Sequence, residues 1–299
     1  MINKIKEAVE DMQSKVVFLD GKGEHLYKVK SNGWSLQGVS TVSSIIPKPW
    51  LSAWGAKEAV KFLGYSDYEG DTKRAEEVLE IIKSIVPDKE PKEPTKKKPK
   101  SIAEKFILFL KEAKGASARK GKTALIDGKR GHEWLEEYVK AKIEGIELPK
   151  VPEGNLARPI NQFLEWEKEN VDYWILSEVL VAYPEKGYAG TLDAMCMLKN
   201  GRLALIDFKF AAHISEDYYL QTSGYQATFE LYGIKIDDRI IIRFPKTLQR
   251  EMYNEKEFKY YMVDDNLEVE IIKTDYILDR DTFFHCLHIK KWINQFIKK

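Results

Sequence analysis

The sequence predicts an α/β fold: a mixed central sheet flanked by helices. Three observations carry this. Two apolar strands, YAGTLDAMCML and RLALIDFKF, flank Lys199-Asn200-Gly201, a hairpin signal. Helical patterns precede and follow the strand region, near 157–170 and over EDYYLQTSGYQATFELYG. A further strand pattern, RIIIRF, comes after the second helix. The order helix, three strands, helix, strand describes an α/β core with at least one antiparallel pair.

The remaining elements read in order. The first fifty residues give short strands and turns: VVFLD, Gly21-Lys22-Gly23, HLYKV and Ser31-Asn32-Gly33. Pro49 opens a helical pattern, PWLSAWGAKEAVKFLG, that ends at Gly64. The stretch PDKEPKEPTKKKPK, from Pro87 to Lys100, has no apolar periodicity and reads as a linker or mobile loop, with the helices beside it forming a small lid or insertion. Helical patterns follow at about 101–114 and 129–144, and WILSEVLVAYPE is the first long strand. FKYYMVD adds another strand, and a helix over about 275–297 closes the chain. The expected division is a 1–64 β/helix segment packing on the core, a 65–118 charged insertion or lid, and a 119–299 core.

Composition narrows the class. The chain has 299 residues, 43% of them hydrophobic and 32% charged, which excludes a disordered chain and leaves ample material for a core. No run approaches the ~20 apolar residues of a membrane helix. Two cysteines, Cys196 and Cys286, are too few for a disulfide framework, a four-cysteine zinc site or a cysteine-ligated iron–sulfur cluster. The start, MINKIKEAVEDMQSKV, carries three acids and no long apolar stretch, so neither a secretory nor a transit peptide is expected and the protein is expected in the cytoplasm. Net charge is +1, yet Pro87 to Arg130 holds twelve lysines and two arginines against six acids. A basic stretch on an otherwise acidic chain suits a polyanion, or serves only as a solvated linker.

The chemistry concentrates between Glu178 and Tyr225. Glu178 lies mid-strand on the face that alternation assigns to Trp174, Leu176 and Leu180, where a carboxylate is costly unless paired, wet or bound to a metal. Asp207 and Lys209 are two apart and share a face. Asp193 joins them or not according to the turn. A two-residue Asn200-Gly201 loop would throw Asp193 and Asp207 onto opposite faces. A three-residue loop with Gly201 left-handed would set them opposite each other. Carboxylates so placed repel and call for a cation, and all-oxygen ligands suit Mg²⁺ or Mn²⁺. Gln221 and Tyr225, at i and i+4, share one helix face. Trp50 and Trp54 share this spacing, as core residues or as base-stacking platforms.

Here the sequence resembles a known family. Gly190-Thr191-Leu192-Asp193, Ile206-Asp207-Phe208-Lys209 and Gln221-Thr222-Ser223-Gly224-Tyr225 are similar to the motifs of PD-(D/E)XK nucleases of the RecB-like exonuclease branch. Gly128-Lys129-Arg130-Gly131-His132 followed by Glu136 resembles that branch's upstream helix. His25-Leu26-Tyr27, Gly38-Val39-Ser40-Thr41-Val42 and Lys48-Pro49-Trp50-Leu51-Ser52-Ala53-Trp54 resemble phage exonucleases and the mitochondrial genome maintenance exonuclease. The likeness covers most of the chain outside about 65–115 and the C-terminal helix. It implies a restriction-endonuclease-like core and Mg²⁺ or Mn²⁺ held by Asp193, Asp207, Glu178 and the Phe208 carbonyl. It also implies His132 at a second metal, Lys209 acting on the attacking water and the phosphate, and Gln221 and Tyr225 at the substrate. The implied activity is exonucleolytic hydrolysis of single-stranded or frayed DNA, in the host cytoplasm if phage-encoded. The alternatives are a flap or branch endonuclease and a non-catalytic DNA-binding module. The chain departs from the motif after Lys209, with Phe210-Ala211-Ala212 where Thr-Ser is frequent.

Overall fold

The chain opens with a helix, α1 (Ile2–Lys15), where the sequence suggested only strands and turns. Ile5, Ala8, Val9 and Met12 fall at the spacing of one helical stripe and are all buried, and that stripe holds the short helix in place. The computed structural model describes residues 1–21, 24–48, 50–66, 72–85, 102–254 and 259–297. The lysine-rich stretch from Pro87 to Lys100, the side chain of Trp50, and hence any lid or stacking role for them, lie outside the described residues.

After α1 come β1 (Val16–Gly21), β2 (Glu24–Val29), β3 (Ser35–Gly38), α2 (Val39–Ser43), α3 (Trp50–Phe62), α4 (Lys73–Ile85), α5 (Ile102–Lys114) and α6 (Ala116–Glu144). A 3₁₀ turn at Gly154–Leu156 leads into α7 (Ala157–Asn170), then β4 (Val171–Tyr183), β5 (Tyr188–Leu198), β6 (Leu203–Phe210) and α8 (Asp217–Glu230). The chain ends with β7 (Asp238–Phe244), β8 (Gln249–Asn254), β9 (Lys259–Asp264), β10 (Glu268–Ile271) and α9 (Tyr276–Ile297).

Two compact units divide these elements: 1–47, 127–248 and 265–299 form one, and 48–126 and 249–264 the other. In the second, the Phe62 ring lies 5.6 Å from that of Phe109, with the Arg74 guanidinium 4.8 Å from the Phe62 centroid. Trp54 is half-buried there. β8 and β9 pair as a separate two-stranded sheet, so the strand expected at FKYYMVD stands outside the main sheet.

The first unit is built on the sheet β1-β2-β3-β5-β6-β7-β10, with β4 on β5's other edge. It is mixed: β3–β5 and β6–β7 run parallel, the other pairs antiparallel. Alternation sends Leu203 and Leu205 of β6 into a core with α1, α2, α8 and α9, represented by Met12, Val42, Phe229 and Phe283. Ala204, Ile206 and Phe208 enter the opposite core with α6 and α7, around Trp134, Tyr138 and Phe163. Helices thus cover both faces, a mixed α/β architecture consistent with a restriction-endonuclease-like core. No helix among the described residues is long and apolar enough to cross a membrane.

β5 organises the site. β4 pairs along its whole length, so both β3 and β6 must take the other edge: β3 at Tyr188 and Ala189, β6 from Ala194 to Met197. Between these two neighbours lies Gly190-Thr191-Leu192-Asp193, a fork in the sheet. Strand groups at a fork lack ladder partners and must find others.

Candidate metal centre

The hairpin takes the three-residue loop. Gly201 has φ +78°, its N–H donates to the Leu198 carbonyl, and Leu198 N–H donates to Arg202 O. The ladder runs from Met197↔Leu203 to Ala194↔Ile206, so the next rung sets Asp193 opposite Asp207. The backbone ladder ends at Ala194↔Ile206. Asp193 Oδ2 instead accepts the Phe208 N–H at 2.7 Å, a charge-assisted bond at the fork.

Asp207 is fully buried. Lys209 Nζ donates to its Oδ1 at 2.7 Å and stands 2.6 Å from Oδ2. The second contact lacks hydrogen-bond geometry, which leaves Oδ2 buried with a nearby charge but no directed donor. The ammonium also faces the Tyr218 ring, 5.2 Å from its centroid. Burial opposes the Lys209 charge, but Asp207 and Asp193 outweigh it and raise its pKa.

Glu178 reaches the site by a route that alternation does not foresee. β4 is irregular between Val171 and Tyr173 and again between Trp174 and Leu176. Trp174 therefore packs in the α6/α7 core and Leu176 in the opposite one, correcting the expectation that they share a face with Glu178. Glu178 itself has φ +47°, the one described non-glycine residue in the left-handed region. Such a conformation costs on the order of 1–3 kcal/mol and persists where the surroundings impose it. Nothing in the local sequence marks it.

His132 comes from α6. Its ring nitrogen and carboxylate oxygens of Glu178 and Asp193 all lie within 4.8 Å of one another, a group that could hold a metal ion. Burial, then the Lys209 charge, lowers the His132 pKa to about 4, leaving a neutral imidazole with a free lone pair at neutral pH. The acids shift the other way. Burial first, then the Asp193 and Glu136 charges, raise Glu178 against Lys140 and Lys209. Burial raises Asp193 against Lys209 and the Phe208 N–H, and burial with Asp193 raises Asp207 against Lys209. Three crowded carboxyls, one lysine, a neutral histidine and an undirected buried Oδ2 make a donor set that fits a divalent cation.

The structure thus gathers His132, Glu178, Asp193, Asp207, Lys209 and the Phe208 backbone. Gln221 and Tyr225 sit differently. Both are buried, Tyr225 to 2% exposure. The Tyr225 hydroxyl donates to Thr191 O at 2.7 Å, satisfying a group at the fork, and Gln221 Nε2 donates to the Tyr225 oxygen at 3.3 Å. Tyr27 of β2 adds a hydroxyl contact to Thr191 Oγ1 at 3.2 Å. Gly190 makes room for this: a Cβ there would stand 2.8 Å from the Tyr225 ring. Sequence reasoning missed Tyr218, whose only signal is its place three residues before Gln221 on α8.

No family model matches the chain, and no curated protein matches it. Among solved structures it is similar to SSO0001, with 14% identity over 44% of this chain and 56% of that one and a TM-score of 0.25. It is also similar to LHK-Exo in complex with dAMP, with 12% identity over 56% of this chain and 82% of that one and a TM-score of 0.27. The chain thus spans just over half the length of SSO0001.

Proposed function

We propose that this protein is a divalent-metal-dependent deoxyribonuclease that hydrolyses phosphodiester bonds from the ends of single-stranded or frayed DNA. The observation that carries the reading is the convergence of His132, Glu178 and Asp193 within 4.8 Å beside the buried Asp207–Lys209 pair. A bound Mg²⁺ or Mn²⁺ supplies Lewis acidity and an acidified water. Asp193, Asp207, Glu178 and the Phe208 carbonyl would hold it, and His132 would complete the donor set or a second site. Lys209, aimed by Asp207 and the Tyr218 face, donates to the attacking water or the phosphate oxygens and balances charge that grows in the transition state. Asp193, by accepting from Phe208 N–H, ties its own strand to the one carrying Asp207. Gln221 and Tyr225 act from behind by fixing the Thr191 backbone.

The charged insertion of residues 65–118 belongs to this proposal through the basic stretch from Pro87 to Arg130, whose lysines would hold phosphates without reading bases, giving sequence-tolerant, steeply salt-dependent binding. The test uses end-labelled linear and circular single-stranded DNA with and without Mg²⁺ or Mn²⁺. Metal-dependent release of nucleotides from linear DNA alone supports the reading. Rapid cutting of circles supports an endonuclease, and binding without cleavage supports a DNA-binding module.

A further inference from the structure

We propose that Phe210, seated in a notch opened by Gly131, is a positioning residue that sets the His132 ring for metal binding. The inference rests on the reading of His132 as a ligand given above. Gly131 is buried within α6, where glycine costs roughly 1 kcal/mol relative to alanine. Its φ is not positive, so conformational freedom is not what the position needs. It needs space. A Cβ on Gly131 would stand 2.0 Å from Phe210 Cζ and 2.3 Å from Cε1, and one on Gly128, a turn earlier, would stand 3.3 Å from Phe210 Cβ.

The Phe210 ring is held on a second side: one of its faces stacks on Phe244 at 4.8 Å and 18°, and Phe244 is fully buried. The half-buried ring thus has its tip in the glycine notch and a face against the sheet core. The residue after Gly131 is His132, whose ring centroid lies 5.1 Å from that of Phe210 at 59°. Metal-binding histidines are ordinarily oriented by a hydrogen bond from the second ring nitrogen. Among the described residues His132 makes no such bond, so the aromatic contact does the orienting.

The test measures Mn²⁺ affinity by calorimetry on the chelator-stripped full chain, with melting temperature followed alongside. Gly131→Ala and Phe210→Leu are each expected to weaken Mn²⁺ binding about 10-fold or more, the range for loss of an outer-shell support. Gly121→Ala, also on α6 but with nothing within 4 Å of the added Cβ, is the folded control and should stay near wild type. In Gly131→Ala/Phe210→Leu the new methyl meets no ring tip, so the double variant should bind no worse than Phe210→Leu alone, a non-additivity that independent sites would not show. His132→Ala separates the two layers of the argument. If it weakens binding while Gly131→Ala and Phe210→Leu lower only the melting temperature, the positioning role is overturned and the ligand reading stands. If His132→Ala leaves Mn²⁺ affinity unchanged, the ligand reading fails and this inference fails with it. Additive losses in the double variant also overturn the positioning role.

Discussion

Two clusters of buried charge sit side by side in one sheet and are built on opposite terms. On β7, Arg243 is 2% exposed and every guanidinium nitrogen is bonded: to Asp265, to Glu268 and to the carbonyls of Ala211 and Asn266. On the neighbouring strand, in register with Arg243, Lys209 faces Asp207, with Asp193 and Glu178 close by. The first cluster is satisfied from within the chain, as a structural ion network must be. The second has more acid than the chain neutralises, an undirected buried oxygen and a strained backbone at Glu178. Burial alone therefore says little about role. An uncompensated surplus of one sign is what sets the candidate metal centre apart from the Arg243 network.

That contrast can be broken by mutation. The largest expected effect is on chemistry: Asp207→Ala should lower DNA cleavage by at least about 10³-fold, with Lys209→Ala somewhat milder, because the attacking water and phosphate lose their partners. Circular dichroism should show both variants folded, and Lys209→Ala should still bind Mn²⁺. Arg243→Met should act in reverse. Removing one partner of a buried pair costs about 3–5 kcal/mol, so chemical denaturation should show a large stability loss with Mn²⁺ affinity per folded molecule kept. If Arg243→Met abolished Mn²⁺ binding in folded protein, the two clusters would have to be treated as one.

A subtler outcome concerns the metal itself. Mn²⁺ at 100 times its dissociation constant should stabilise the wild type by about 2.7 kcal/mol, seen as a raised melting temperature, and should do little for a Glu178→Ala variant. The smallest effect is at Glu178, where Glu178→Gly should release on the order of 1 kcal/mol of strain. The metal-free variant should melt at or above the wild type while binding Mn²⁺ more weakly. A clear loss of stability would mean that the left-handed residue supports the fold rather than burdening it.

Much of the first cluster's neighbour was legible in the sequence. The spacing of Asp207 and Lys209 follows from strand periodicity, and Lys199-Asn200-Gly201 marks the turn; it fits a two- or a three-residue loop, and only the fold selects the three-residue one that sets Asp193 against Asp207. Those are local signals. Glu178 shows where they stop. The bulges in β4 shift the faces without leaving a mark in composition, so the residue can be picked out but its direction cannot be derived. The burial of Tyr225 behind Thr191 and the Phe210–His132 contact link residues 34 and 78 positions apart, which no helix or strand period reports. The β8–β9 hairpin escaped as a main-sheet partner for the same reason: a strand's pattern does not say which sheet it joins. In α1, by contrast, Ile5, Ala8, Val9 and Met12 did carry the helical period, diluted by the charged residues between them.

If the acid surplus at the fork binds a cation, Mn²⁺ titration of the chelator-stripped wild type beside Asp193→Asn will show it. Among the described residues Asp193 has no cation within ion-pair distance, although it feels the Lys209 charge, and asparagine can still accept the Phe208 N–H through its carbonyl oxygen, so the fork should remain closed. Binding should be saturable in the wild type and weaker by about 10-fold or more in the folded variant. Equal affinity in the two proteins, or no saturable binding in either, would contradict cation binding at the fork.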